Sequence, residues 1–198
     1  MVKKSQNQNL GFTLIEMIVS LGIFSIVVTT AVGAMLVLIS TNQQLQSEQN
    51  VMTNLSFALD TMTREIRTGY NYYCTTSDTN PSGETKNDCL GARNTTKLGV
   101  SFYEGGNSLT GSSVGATRIL YYYDELDKSI YRRIGDDPAQ AIVSSGLAIT
   151  DAQFYVTGTT AGDDEQPTVT IYLEAQDVND DSKTYYLQTT VTQRILDI

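Results

Sequence analysis

Between Phe12 and Ser40 a single side chain carries a charge, Glu16, across 29 consecutive residues. A carboxylate in so apolar a run needs a partner, because an ion held in a bilayer costs about 2.5–3.5 kcal/mol on insertion scales. Two further groupings carry reactive or ligating atoms. Cys74 and Cys89, the two cysteines of the chain, have 14 residues between them in a stretch rich in Thr, Ser, Asn and Gly. Asp177, Asn179, Asp180 and Asp181 concentrate oxygen donors, and Asp177-x-Asn179-x-Asp181 has the opening spacing of a calcium loop. Ser182 stands where such a loop turns on glycine, and Gln188 where it places a bidentate Glu. A calcium site and a solvated turn are both open readings there, as they are for Asp163, Asp164 and Glu165. Histidine is absent, which removes the usual general base near neutral pH and the commonest metal ligand. The chain shows no P-loop, no nucleophile motif and no recognisable frame of paired catalytic carboxylates. Its formal net charge of -9 argues against broad nucleic-acid binding. Arg132-Arg133, and Arg64 and Arg67 around Glu65, read as solvated faces or as a local binding surface.

The elements that position these residues follow from the apolar pattern. Roughly 20 apolar residues cross a bilayer as a helix, and the Phe12–Ser40 run exceeds that. A secretory signal has a shorter apolar core and a small-residue cleavage site after it, so a retained membrane helix is the better reading. Lys3 and Lys4 precede it with no acid in Met1–Gly11, which keeps the N-terminus inside and exports the C-terminal bulk. Gly22 and Gly33 lie in the span; Gly33 serves either local loosening or close helix packing. Beyond Ser40 the chain turns polar yet keeps helical rhythm, with Leu45, Met52, Leu55, Leu59, Met62 and Ile66 forming an apolar stripe. That stripe predicts burial on a sheet, or a coiled coil with a partner. No proline interrupts Phe12–Thr68, and Gly69 is placed to cap the helix end.

After Gly69, Tyr, Thr, Gly, Asn and Asp become frequent and short alternating runs appear. The predicted strands are Lys97–Tyr103, Arg118–Asp124, Ser129–Ile134, Gln153–Val156, Val169–Glu174 and Tyr185–Arg194, with a tight connection at Glu125–Lys128. Mostly antiparallel pairing is expected, since no long helix remains for crossovers. The expected fold is α+β: a long N-terminal helix, membrane-spanning in its first half and amphipathic in its second, packed on a mostly antiparallel β-sheet head. Its segments are 1–11 as a basic leader, 12–40 as the apolar half-helix, 41–68 as the amphipathic half and 69–198 as the head.

Gly11-Phe12-Thr13-Leu14-Ile15-Glu16, followed by MIVSLGIFSIVV, closely resembles the type IV prepilin family. The resemblance covers the basic leader, Gly11, Phe12, Glu16 and the apolar helix. It implies cleavage after Gly11 by a prepilin peptidase and N-methylation of Phe12. The freed ammonium at Phe12 would lie one helical turn from Glu16, so the two charges can neutralise each other within or between subunits and set the register of an incoming subunit. A snorkelling Glu16 near the headgroups is the plainer alternative. The implied protein is structural and not an enzyme, sits single-pass in the bacterial inner membrane with its head exported, and then joins a pilus or pseudopilus. Its implied partners are the prepilin peptidase, other pilins or pseudopilins in a helical filament, and membrane lipid, with nucleic acid not expected. No cofactor is expected beyond the open calcium question. YYYDELDKSIYRR is also similar to the strand-turn-strand of J-type minor pseudopilins and W-type minor pilins, or is an ordinary hairpin. A minor subunit leads over a major pilin and over a filament-displayed adhesin or DNA-uptake subunit. An exported head meets an oxidising space, where Cys74 and Cys89 are expected to form a disulfide rather than stay free.

Overall fold

The computed structural model describes residues 11–83, 85–89, 99–105, 117–160 and 165–194, without the side chain of Asp181. Lys3 and Lys4 of the leader, Lys97 at the head of a predicted strand, and Asp163 and Asp164 lie outside the described residues. The chain divides into two units, 1–46 and 47–198.

Helix α1 runs Leu14–Thr68, 55 residues without interruption. In the first unit every described residue, from Gly11 to Gln46, is exposed, and the helix is long and apolar enough to cross a membrane. Aliphatic and aromatic side chains such as Phe12, Ile18, Phe24 and Leu36 therefore have no protein cover within the chain.

In the second unit α1 buries Val51, Leu55, Ala58, Leu59, Met62 and Ile66. Leu45 and Met52, predicted in the stripe, are half exposed, and Val51 and Ala58 take their places. The 3.6-residue period explains the exchange, because Val51 and Ala58 sit between Leu55, Leu59 and Met62 on one helix face. The stripe is covered by the protein's own sheets, in one core shared with Phe102, Tyr121, Phe154 and Ile171.

Eight strands follow: β1 Tyr70–Thr75, β2 Gly99–Tyr103, β3 Arg118–Asp124, β4 Ser129–Ile134, β5 Gln140–Ala141, β6 Leu147–Thr157, β7 Thr168–Asp177 and β8 Asp180–Thr192. They form two sheets, ordered β1-β2-β3-β4-β5 and β6-β7-β8, and every neighbouring pair is antiparallel. The architecture is α+β, with α1 packed against antiparallel sheets. Ile119, Tyr121 and Tyr123 of β3 face the helix, yet Leu120 and Tyr122 are buried as well, so the central strand is covered on both faces. At the predicted connection Asp124 accepts from the Leu126 amide at 3.0 Å, and Lys128 takes the left-handed conformation that closes the turn.

The end of α1 differs from the expected glycine cap. Gly69 donates to the carbonyls of Glu65 and Ile66, but its φ is not positive; the left-handed residue is Asn71, at φ 53°. Glycine is required at 69 for space, since a Cβ there would sit 2.3 Å from the Phe102 ring. The orphan carbonyls are met from elsewhere. The buried Tyr72 hydroxyl lies 2.6 Å from the Ile66 oxygen and 2.9 Å from that of Gly69, and the Arg194 amide donates to Arg67 at 2.9 Å.

Candidate functional site

The N-terminal turn of α1 is built by Thr13 and Glu16. Thr13 accepts the first helical hydrogen bonds, from the Glu16 and Met17 amides at 3.1 and 3.3 Å. Its hydroxyl lies 3.4 Å from the Glu16 amide, while the Glu16 carboxylate turns back to the Thr13 amide at 3.4 Å and the Thr13 hydroxyl at 3.2 Å. This reciprocal pattern is a capping box, spelled Thr-x-x-Glu in the chain. It explains why the helix begins at Leu14 and not at Phe12. It also gives Glu16 a direction: the carboxylate points toward the chain start, where the helix dipole is positive. Phe12 immediately precedes Thr13, so an amine freed at Phe12 is the next donor along the chain. The local signal for this box is the Thr-x-x-Glu spacing, with Glu16 three residues after Thr13.

Further along α1 the hydroxyls of the apolar run bond to its own backbone. Thr29 donates to the Ser25 carbonyl at 2.8 Å, Thr30 to Val27 at 2.9 Å, and Ser40 and Thr41 both to Val37 at 2.9 Å. Ser20 donates to the Glu16 carbonyl in the same way. In hydrocarbon such internal partners are what make a polar side chain tolerable.

Within the head, polar groups on α1, β3 and β4 hold elements together. Glu65 and Arg132 are not solvated faces. Both carboxylate oxygens of Glu65 meet the Arg132 guanidinium, at 2.9 and 2.8 Å, and the Tyr121 hydroxyl donates to Glu65 at 2.6 Å. Burial, then the neighbouring Glu65 carboxylate, pushes the Tyr121 phenol up and keeps it a donor. Arg64 does remain outside, paired with Asp60 one turn away. Arg118 is buried under the loop after β1. Its guanidinium donates to the carbonyls of Thr85 at 2.9 Å and Asn71 at 3.3 Å, and stacks 4.5 Å from the centre of the Tyr103 ring. The hairpin tip between β7 and β8 is tied to α1 by two contacts, Ser47 with Asp177 and Lys183 with Glu48.

Cys74 and Cys89 are joined, with their Cα atoms 5.7 Å apart. Cys74 lies on β1 of the first sheet, whereas Cys89 exchanges two backbone hydrogen bonds with Val156 of β6 in the second, at 2.9 and 3.0 Å. The bond therefore staples the two sheets and does more than pin a loop. In the chain-entropy description, closing a loop of this size contributes about 3 kcal/mol. We expect the Cys89→Ser chain to lose about 3 kcal/mol in urea titrations of the detergent-solubilised protein, reflecting that loop closure. An unchanged midpoint would show that the bond stabilises nothing.

At the other sequence-predicted cluster, Asp177 accepts from the Asn179 amide at 2.8 Å as well as from Ser47. These donors hold its carboxyl below the usual range. Asp180 pairs with Asp177 across a two-residue hairpin turn. Among the described residues no three Asp, Glu, Cys or His converge on one point, and the Asp181 side chain lies outside them.

An uncovered apolar helix with a self-capped carboxylate at its tip, carried on a two-sheet head, is the architecture of a protein held by its N-terminal helix. Residues 6–32 match the family described as the prokaryotic N-terminal methylation motif. The match is confined to the N-terminal segment, and it supports a type IV prepilin-family protein. No curated protein and no solved structure matches the chain. The motif implies processing by prepilin peptidase and assembly with other pilins, in a family that is structural.

Proposed function

We propose that the chain is a minor subunit of a type IV pilus or a type II secretion pseudopilus. It is cut after Gly11, N-methylated on Phe12 and assembled through α1. The observation that carries this reading is the methylation motif at 6–32 seated on a helix whose residues from Gly11 to Gln46 are all uncovered. So large an apolar surface needs lipid before assembly and other helices after it. The 12–40 segment serves as the span and filament core, 41–68 as the half packed on the head, and 69–198 as the exported head, with 1–11 removed. The bacterial inner membrane is the site of residence before assembly. The role is structural and not enzymatic, and no cofactor takes part. The commitment of Asp177 to Ser47 and Asn179 supports a turn in place of a calcium site. A net charge of -9 supports protein and lipid partners over nucleic acid.

Mass spectrometry of the mature chain from its native host tests the reading. The expected first residue is a methylated Phe12, in a preparation that contains other pilin-like chains. A mature protein that still begins at Met1 overturns it.

A further inference from the structure

The outer face of the β6-β7-β8 sheet, turned away from the core, carries three tyrosines in a line. Tyr155 of β6 stands opposite Thr170, Tyr172 of β7 stands opposite Gln153 and Gln188, and Tyr186 of β8 stands opposite Glu174. Each tyrosine is thus displaced by two residues on the next strand, which makes a diagonal. Diagonal neighbours on such a face sit roughly 7–8 Å apart. The first two rings are laid along their strands by their own hydroxyls. Tyr155 donates to the Gln153 side chain, and Tyr172 donates to Glu174 at 2.5 Å, each partner being two residues away on the same face. Both residues are partly exposed. Tyr186 is 62% exposed.

The polar atoms between the rings are fixed as well. The Gln153 side chain is 4% exposed and donates to Asp151 at 2.7 Å, and Thr170 bonds to Thr190 at 3.0 Å. Planar amide and carboxylate edges beside flat aromatic surfaces suit a ligand with apolar C–H faces and hydroxyl rims. Charge narrows the class. Among the described side chains the ionised groups on this face are Asp151 and Glu174, and the one lysine of β8, Lys183, reaches instead to Glu48 on α1. A face with acids and no base repels phosphate, sulfate and uronate polymers, and matches an uncharged one.

We propose that this face binds a neutral polysaccharide, with sugar rings stacked along Tyr155, Tyr172 and Tyr186 and their hydroxyls meeting Gln188 and Glu174, while the buried Gln153 holds the Tyr155 ring in place. The proposal goes beyond subunit assembly and does not depend on it, because binding is a property of the single head.

Isothermal titration of the full chain, held in a zwitterionic detergent without sugar headgroups, tests it with cellohexaose and mannohexaose as probes. At least one is expected to bind with a Kd below about 1 mM. Tyr186→Ala and Tyr172→Ala should each weaken that binding about tenfold, while Tyr186→Phe keeps it, since stacking and not the hydroxyl is at stake. The side chain of Tyr186 is exposed, so its removal leaves the fold intact, and an unchanged urea midpoint verifies that. No heat with either probe at millimolar concentration overturns the proposal, as does equal binding by the Tyr186→Ala chain. A dimer seen by sedimentation that Tyr186→Ala dissolves, without sugar binding, would reassign the face to a second copy.

Discussion

The Glu16→Ala chain is expected to insert into membranes at the wild-type level and to fail to enter filaments. Insertion does not suffer, because the substitution removes a carboxylate that costs up to about 2.5–3.5 kcal/mol in hydrocarbon. Assembly suffers for the opposite reason. On the proposed reading Phe12 carries an ammonium after cleavage, and loss of Glu16 would leave that charge in the filament core without its counterion. Breaking one side of a buried pair costs about 3–5 kcal/mol, which is more than about a hundredfold in recruitment. Glu16→Gln separates charge from capping: it keeps a side chain that can close the Thr13 box but carries no charge. It is expected to fail as alanine does. The readout is the ratio of chain in sheared filaments to chain in the membrane fraction, by immunoblot. Normal filament levels for Glu16→Ala would sink the pairing account, and normal levels for Glu16→Gln alone would reduce Glu16 to a helix cap.

Glu65→Ala is expected to cost the head about 2–3 kcal/mol, below the range for a fully buried pair because both partners keep some solvent contact. Side-chain exposure of 23% for Arg132 and 27% for Glu65 sets that discount. The substitution removes three hydrogen bonds at once and leaves Arg132 and Tyr121 facing a gap between α1 and β4. Arg132→Ala should cost somewhat less, since Glu65 then keeps Tyr121 as a donor. In urea titrations the double variant should fall short of the sum of the singles, as expected for residues in one network. Strict additivity would mean that the ion pair does not couple helix to sheet.

How much was legible in the sequence follows from the range over which each signal acts. The span, the N-terminal motif and the Ser129–Ile134 strand were readable because each depends on a run of neighbouring residues. The strand Tyr70–Thr75 was missed because Asn71, in the left-handed region, breaks its alternation and introduces a bulge. Gln140–Ala141 was missed because two residues carry no period at all. The stripe on α1 was off by its two N-terminal members, since Leu45 precedes the part of the helix that meets the sheets. Glu65 and Arg132 looked like surface charges because their partner lies 67 residues away in sequence, and no local pattern announces it. The cysteine pair was readable as a bond, but which sheets it joins depends on where Cys89 meets Val156.

The hydroxyls of Thr29, Thr30, Ser40 and Thr41 give the helix a portable set of partners, because each donates to a carbonyl that travels with it. A rod of this kind can be withdrawn from lipid and stacked among other rods without breaking a polar contact on the way. With respect to hydrogen bonding the two surroundings are level ground. On the proposed reading, the slope between them is set by the acid at the tip and the cation that meets it.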